Sequence, residues 1–133
     1  MIGFKIDHIG YITDSIDATS REFELLGYIK GDKIDDDTQR THICFMRKNG
    51  EVTVELVEPY ADNKTMQKML AKRGVSPYHL CYAVDDIDDT FNQLISQDWT
   101  ALFAPVAAPA FDGRKICYFW KSEIGFIEIL SKQ

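Results

Sequence analysis

His8 and His79 fall at equivalent positions of an internal repeat, and so do Glu55 and Glu128. Imidazole nitrogens and carboxylate oxygens are ligands for borderline divalent cations. Two of each around one point is a donor set for a divalent cation. A cation held in this way is a Lewis acid. It polarises a substrate carbonyl and acidifies the neighbouring C–H, so that a base close by can remove the proton and return it.

The repeat is legible directly. Residues 8–19 read HIGYITDSIDAT and residues 79–90 read HLCYAVDDIDDT, with six identities in twelve positions at an offset of 71. Further along, THICFMRK (41–48) faces RKICYFWK (114–121) and VEL (54–56) faces IEI (127–129), now at an offset of 73. The second copy therefore carries two extra residues in a loop. A two-fold repeat brings equivalent residues together around its axis, and His8, Glu55, His79 and Glu128 become one set.

These residues must be positioned by strands. Glu55 sits in an alternating run, and Glu128 lies within the apolar stretch Gly125–Leu130. A carboxylate buried there costs several kcal/mol unless a cation compensates it. Residues 4–12 alternate and read as a strand. Asp14 or Ser15 caps a helix over 16–26, which Gly27 ends. A short strand near 28–34 follows, then strands at 41–47 and 51–58 joined about Asn49-Gly50. Residues 64–73 read as a linking helix stopped by Gly74. The second copy predicts a strand at 78–84, a helix near 86–97 and strands at 99–104, 114–120 and 125–131. The expectation is one domain over 1–133: module one at 1–58, a helical linker at 59–76 and module two at 77–133. Neither module can bury its sheet face alone.

Composition narrows the function. The chain has 15 basic and 21 acidic residues, a formal charge of −6, and 45% hydrophobic residues. No basic patch fits a nucleic acid, and an acidic protein gains nothing at an anionic membrane. The Lys68–Lys72–Arg73 cluster reads as the solvated face of the linking helix. Asp7 and His8 interrupt the opening run, so it does not resemble a signal peptide, and no apolar run approaches a membrane span. Cys44, Cys81 and Cys117 are odd in number, widely spaced and set in strand-like runs, where a thiol is small apolar filler. A cytoplasmic protein is expected.

At these motifs the chain resembles the vicinal oxygen chelate superfamily, which includes glyoxalases, bleomycin-resistance proteins and extradiol dioxygenases. The resemblance covers the whole chain. It implies an α+β fold of two tandem βαβββ modules forming an open, cupped mixed β-barrel. It also implies a metal bound by one residue from the first and last strand of each module, positions that fall on His8, Glu55, His79 and Glu128. The stretch VELVEPYADNKTMQKMLAKRGVSPYHLCYAVDDID (54–88) and the ending FWKSEIGFIEIL (119–130) are similar to methylmalonyl-CoA epimerases. HIGY (8–11) and SPYHLCY (76–82) are also similar to small bacterial glyoxalase-I-like proteins. Ile12 stands where glutathione-type glyoxalases carry an arginine, and Tyr78-His79 where epimerases carry two adjacent histidines.

The resemblance implies a metal-dependent lyase or isomerase acting on a small molecule, working as a homodimer. Glu128 is its first candidate for a carboxylate that both binds metal and moves protons. His42 is a second candidate base, because it aligns with a base position of some epimerases and shares strand parity with Cys44 and Met46. Lys115, the repeat mate of His42, is a candidate contact for a substrate anion or enolate. The apolar loop 104–113 is a candidate lid or substrate wall. The competing readings are a drug-binding protein of the bleomycin-resistance type, without catalysis, and a dioxygenase.

Overall fold

The computed structural model describes residues 3–132. Its elements run β1 (Phe4–Ile12), α1 (Ile16–Leu25), β2 (Ile29–Asp36), β3 (Thr41–Arg47), β4 (Thr53–Pro59), α2 (Lys64–Arg73), β5 (Ser76–Val84), α3 (Ile87–Ser96), β6 (Thr100–Ala101), β7 (Val106–Ala107), β8 (Lys115–Lys121) and β9 (Gly125–Ser131). A single 3-10 turn spans Pro109–Phe111. Two compact units result. One comprises His8–Tyr78, the His8 unit; the other comprises the residues before His8 together with those from His79 onward, the His79 unit.

In the His8 unit the strand order is β2-β3-β4-β1. The β2–β3 and β3–β4 pairs are antiparallel, and β1 runs parallel to β4. The β3–β4 hairpin turns at Gly50, whose φ of 79° is the left-handed region that glycine enters without strain. Helix α1 starts at Ser15, whose side chain accepts from Ala18 N at 3.1 Å. Of the two expected caps, Ser15 serves, because its oxygen satisfies a first-turn amide with no helical partner. One sheet face packs on α1: Cys44, Met46, Val54 and Leu56 meet Ile16 in a buried cluster, with Tyr11, Phe23 and Tyr28 around it.

The His79 unit repeats this plan in the order β5-β9-β8-β6, with β7 also pairing β8. Here β5 and β9 are parallel, while β8 pairs β9, β6 and β7 antiparallel. Asp86 caps α3 by accepting from Asp89 N at 3.0 Å. Val84, Ile87, Leu94, Cys117, Phe119, Ile127 and Ile129 form the buried cluster beneath α3. The strand expected over 99–104 is only two residues long, and a second two-residue strand lies inside the expected loop at 104–113. Pro105 and Pro109 lack the N–H that a continuous ladder needs, so pairing comes in short pieces.

The repeated lysines have a structural role. Lys48 Nζ donates to Leu26 O at 2.8 Å, and its mate Lys121 Nζ donates to Asp98 O at 3.4 Å. Both carbonyls lie just past a helix C-terminus, where unpaired C=O groups and the helix dipole favour a cation. Gly27 and Asp98, also repeat mates, both take positive φ there, 96° and 65°. Lys68, Lys72 and Arg73 are exposed on α2, as expected. No helix among the described residues is long and apolar enough to cross a membrane.

Candidate functional site

Strand periodicity decides which side chains share a face. In the His8 unit the face away from α1 carries His8, Gly10 and Ile12 of β1, in register with Thr53, Glu55 and Val57 of β4. Thr41, Ile43 and Phe45 of β3 join it, with Phe45 directly opposite Glu55. Both His8 and Glu55 are buried, and His8 Nε2 stands 3.2 Å from Glu55 Oε1. Gly10 faces Glu55 across the β1–β4 register. The Phe45 ring meets the His8 imidazole edge-on, with centroids 6.1 Å apart.

The His79 unit presents the same arrangement. His79 and Cys81 lie on β5 in register with Phe126 and Glu128 of β9. His79 Nε2 stands 3.1 Å from Glu128 Oε1, with side-chain exposures of 0% and 2%. Tyr118, the repeat mate of Phe45, is directly opposite Glu128 and meets the His79 ring edge-on at 5.2 Å. Cys81 takes the place of Gly10. Burial pushes the Cys117 thiol up to about 12, and the Glu128 carboxylate adds to the shift.

The structure therefore brings His8 to Glu55 and His79 to Glu128, each pair within its own unit. Two ligand atoms each roughly 2.0–2.2 Å from one cation stand roughly 2.8–3.6 Å apart at octahedral or tetrahedral angles. Both His–Glu pairs fall in this range, at 3.2 and 3.1 Å. An imidazole nitrogen beside a carboxyl oxygen, repeated in two units, is a donor set suited to a divalent cation.

The other sequence candidates lie elsewhere. His42 shares its face with Cys44 and Met46, as parity predicts, but that face is the one packed on α1. It is thus on the opposite side of the sheet from Glu55. Its Nδ1 bonds Asp35 Oδ1 at 2.6 Å, and its ring leans on Tyr60 at 4.4 Å. The Tyr60 hydroxyl donates to Asp37 at 2.8 Å, which pushes its pKa up to about 12. Lys115 shares parity with Cys117 and Phe119, on the α3 side, and is exposed. Neither residue is on the face of the His–Glu pair in its unit. The repeat made the two mates, and the parity that placed both on one face placed both on the helix face.

The loop at 104–113 is an ordered wall. Val106, Ala108 and Phe111 pack with Ile116, Tyr118, Leu130 and Cys81, all on the Glu128 face of their strands. Phe45 and Tyr118 are missing from the sequence candidates, though the 73-residue offset pairs them and strand parity puts each beside a glutamate.

Comparison with known proteins agrees with this plan. The family model of the glyoxalase/bleomycin resistance protein/dioxygenase superfamily matches residues 7–118. No curated protein sequence matches the chain. Among solved structures, a hypothetical protein from Bacillus halodurans is 24% identical, with a TM-score of 0.83 over 98% of this chain and 96% of its own. Methylmalonyl-CoA epimerase from Mycobacterium tuberculosis is 21% identical, with a TM-score of 0.84 over 96% of this chain and 87% of its own. The Streptomyces coelicolor epimerase, solved in complex with 2-nitronate-propionyl-CoA, is 19% identical, with a TM-score of 0.85 over 96% of this chain and 93% of its own. At these identities the likeness is one of fold: α+β, with mixed pairing. With the tandem repeat and the family match over most of its length, the chain belongs to the glyoxalase/bleomycin resistance protein/dioxygenase superfamily.

Proposed function

We propose that His8, Glu55, His79 and Glu128 together hold one divalent cation, with Ni²⁺, Co²⁺ or Zn²⁺ the ions to test, and that the protein is an isomerase or lyase acting next to a carbonyl. The observation that carries this reading is the recurrence of one buried His–Glu pair at 3.1–3.2 Å in each unit. When bound, the cation would supply Lewis-acid polarisation of the substrate carbonyl. The two units would then act as a single domain, and the active form would be a homodimer.

The protein's own groups have separable tasks. His8 and His79 present Nε2, and Phe45 and Tyr118 hold those rings by edge contacts. Glu128 is the proposed base: it takes the proton from the carbon next to the carbonyl and returns it. Return to the opposite face epimerises the substrate, and return to the next carbon isomerises it. The wall formed by Val106, Ala108 and Phe111 keeps water from the Glu128 face. His42 and Lys115 have no part in this scheme, because they occupy the helix faces.

Epimerisation of an acyl-CoA thioester is the first reaction to test, since solved epimerases share the fold. The nickel- or cobalt-loaded protein in D₂O should place deuterium next to the carbonyl of methylmalonyl-CoA. Exchange only with a methylglyoxal hemithioacetal would assign the glyoxalase branch. No exchange with either substrate would contradict an enzyme and favour a small-molecule binding protein.

A further inference from the structure

We infer that a groove beside helix α1 is a second binding site, for a small molecule that joins an aromatic or apolar body to a positive charge. The site is independent of the metal reading, since none of its residues is a proposed metal ligand. The groove lies within the His8 unit and has a volume of about 440 Å³. That is a size suited to a small molecule. Tyr11, Phe23, Leu26 and Val75 give it an apolar wall, and Asp14 and Glu22 give it charge. The Tyr11 and Phe23 rings meet edge-on at 5.3 Å, which holds both in place. Among the described residues no basic side chain lines the groove, and neither Asp14 nor Glu22 has an ion-pair partner.

Exposed carboxylates are common on this chain, and what sets Asp14 apart is its repeat mate. At the offset of 71, Tyr11 and Asp14 correspond to Tyr82 and Asp85, and Val75 corresponds to Phe4. At the offset of 73, Pro59 corresponds to Lys132. In the His79 unit the tyrosine and the aspartate both have company. The Phe4 ring stands edge-on to Tyr82 at 6.2 Å, and Lys132 Nζ pairs with Asp85 Oδ1 at 2.6 Å. The chain itself supplies a ring and a cation there. In the His8 unit the tyrosine and the aspartate are kept, but a valine replaces the ring and a proline replaces the cation.

The groove occupies the place so vacated, with Val75 on its wall. Glu22 adds a second carboxylate where the other module has the neutral Gln93. A ligand that completes the pattern brings both missing parts, an apolar or aromatic body to lie on Tyr11 and Val75 and a cation for Asp14 and Glu22. Aromatic rings beside carboxylates attract an organic ammonium ion in this way.

Benzyltrimethylammonium is the probe, beside benzyl alcohol, which has the ring without the charge, and tetramethylammonium, which has the charge without the ring. A quaternary nitrogen has no lone pair, so the probe cannot ligate a metal. Ligand-observed NMR titrations at low salt should show benzyltrimethylammonium binding about tenfold tighter than either control, as a cation held against rings and carboxylates implies. Val75→Phe, which restores the ring that Phe4 gives the other unit, should abolish binding in a folded protein. Asp14→Asn/Glu22→Gln should remove the preference over benzyl alcohol, while Asp112→Asn/Glu123→Gln, two exposed carboxylates of the other unit, should keep it. No binding of the probe, equal binding of all three molecules, or binding unchanged by Val75→Phe overturns the site. So does a preference that survives Asp14→Asn/Glu22→Gln or is lost equally in both double variants. Dissociation of a dimer by Val75→Phe, read by sedimentation, would give the groove to a second copy of the chain and overturn the ligand.

Discussion

His42 Nδ1 lies 2.6 Å from Asp35 Oδ1, on the face of β3 opposite to Glu55. The contact is a short hydrogen bond between two partly exposed side chains, unlike the longer, buried His–Glu separations. His42→Ala should therefore leave metal content unchanged and cost about 1 kcal/mol of stability or less, as exposed pairs do. Metal analysis and urea denaturation check this. Loss of metal in this variant would place His42 in the site.

The helix face of the His8 unit should be the more sensitive to volume. Leu56 is fully buried among Cys44, Met46, Val54 and Ile16. Leu56→Ala should cost about 2–5 kcal/mol by lost burial and the cavity left behind. A loss below 1 kcal/mol in equilibrium unfolding would contradict the assigned packing.

The two helix caps should count alike. Ser15 and Asp86 each accept a first-turn amide, at 3.1 and 3.0 Å. Alanine at either position should cost about 1 kcal/mol. Measured unfolding midpoints that do not move would show that the caps are replaced by water.

Alkaline pH should weaken the fold through Cys117. Its thiol is raised from 9.0 to about 12 by burial, so the folded protein holds this proton where the unfolded chain releases it. Folding stability from this group is complete below the unfolded value near 9 and is lost as pH rises towards 12. Urea midpoints should fall over that window, and Cys117→Ala should flatten the decline. An unchanged slope in that variant would assign the effect to other groups.

Much of this was legible in the sequence, and the reasons differ by element. The repeat exposed both His–Glu pairs, because a charged residue recurring in an apolar strand needs a shared cause. Helix α2 and strands β3 and β9 fall at their expected residues, bounded by Gly74, by the alternation of 41–47 and by the apolar run that opens at Gly125. The second module's connection was harder, because two prolines break its pairing into two-residue strands that alternation cannot reveal. His42 was a reasonable base by residue type, but its role depended on which face α1 covers. Parity shows which residues share a face; it does not say which face is covered. Lys48 and Lys121 repeat because both modules end a helix in the same way.

The most direct test is the metal content per chain of the protein reconstituted with Ni²⁺, Co²⁺ or Zn²⁺, measured beside a Glu55→Ala/Glu128→Ala variant shown to be folded. The account predicts about one ion per chain in the wild type and its loss in the variant, as for a four-ligand site stripped of two ligands. No bound ion in the wild type, or equal content in both proteins, would contradict it.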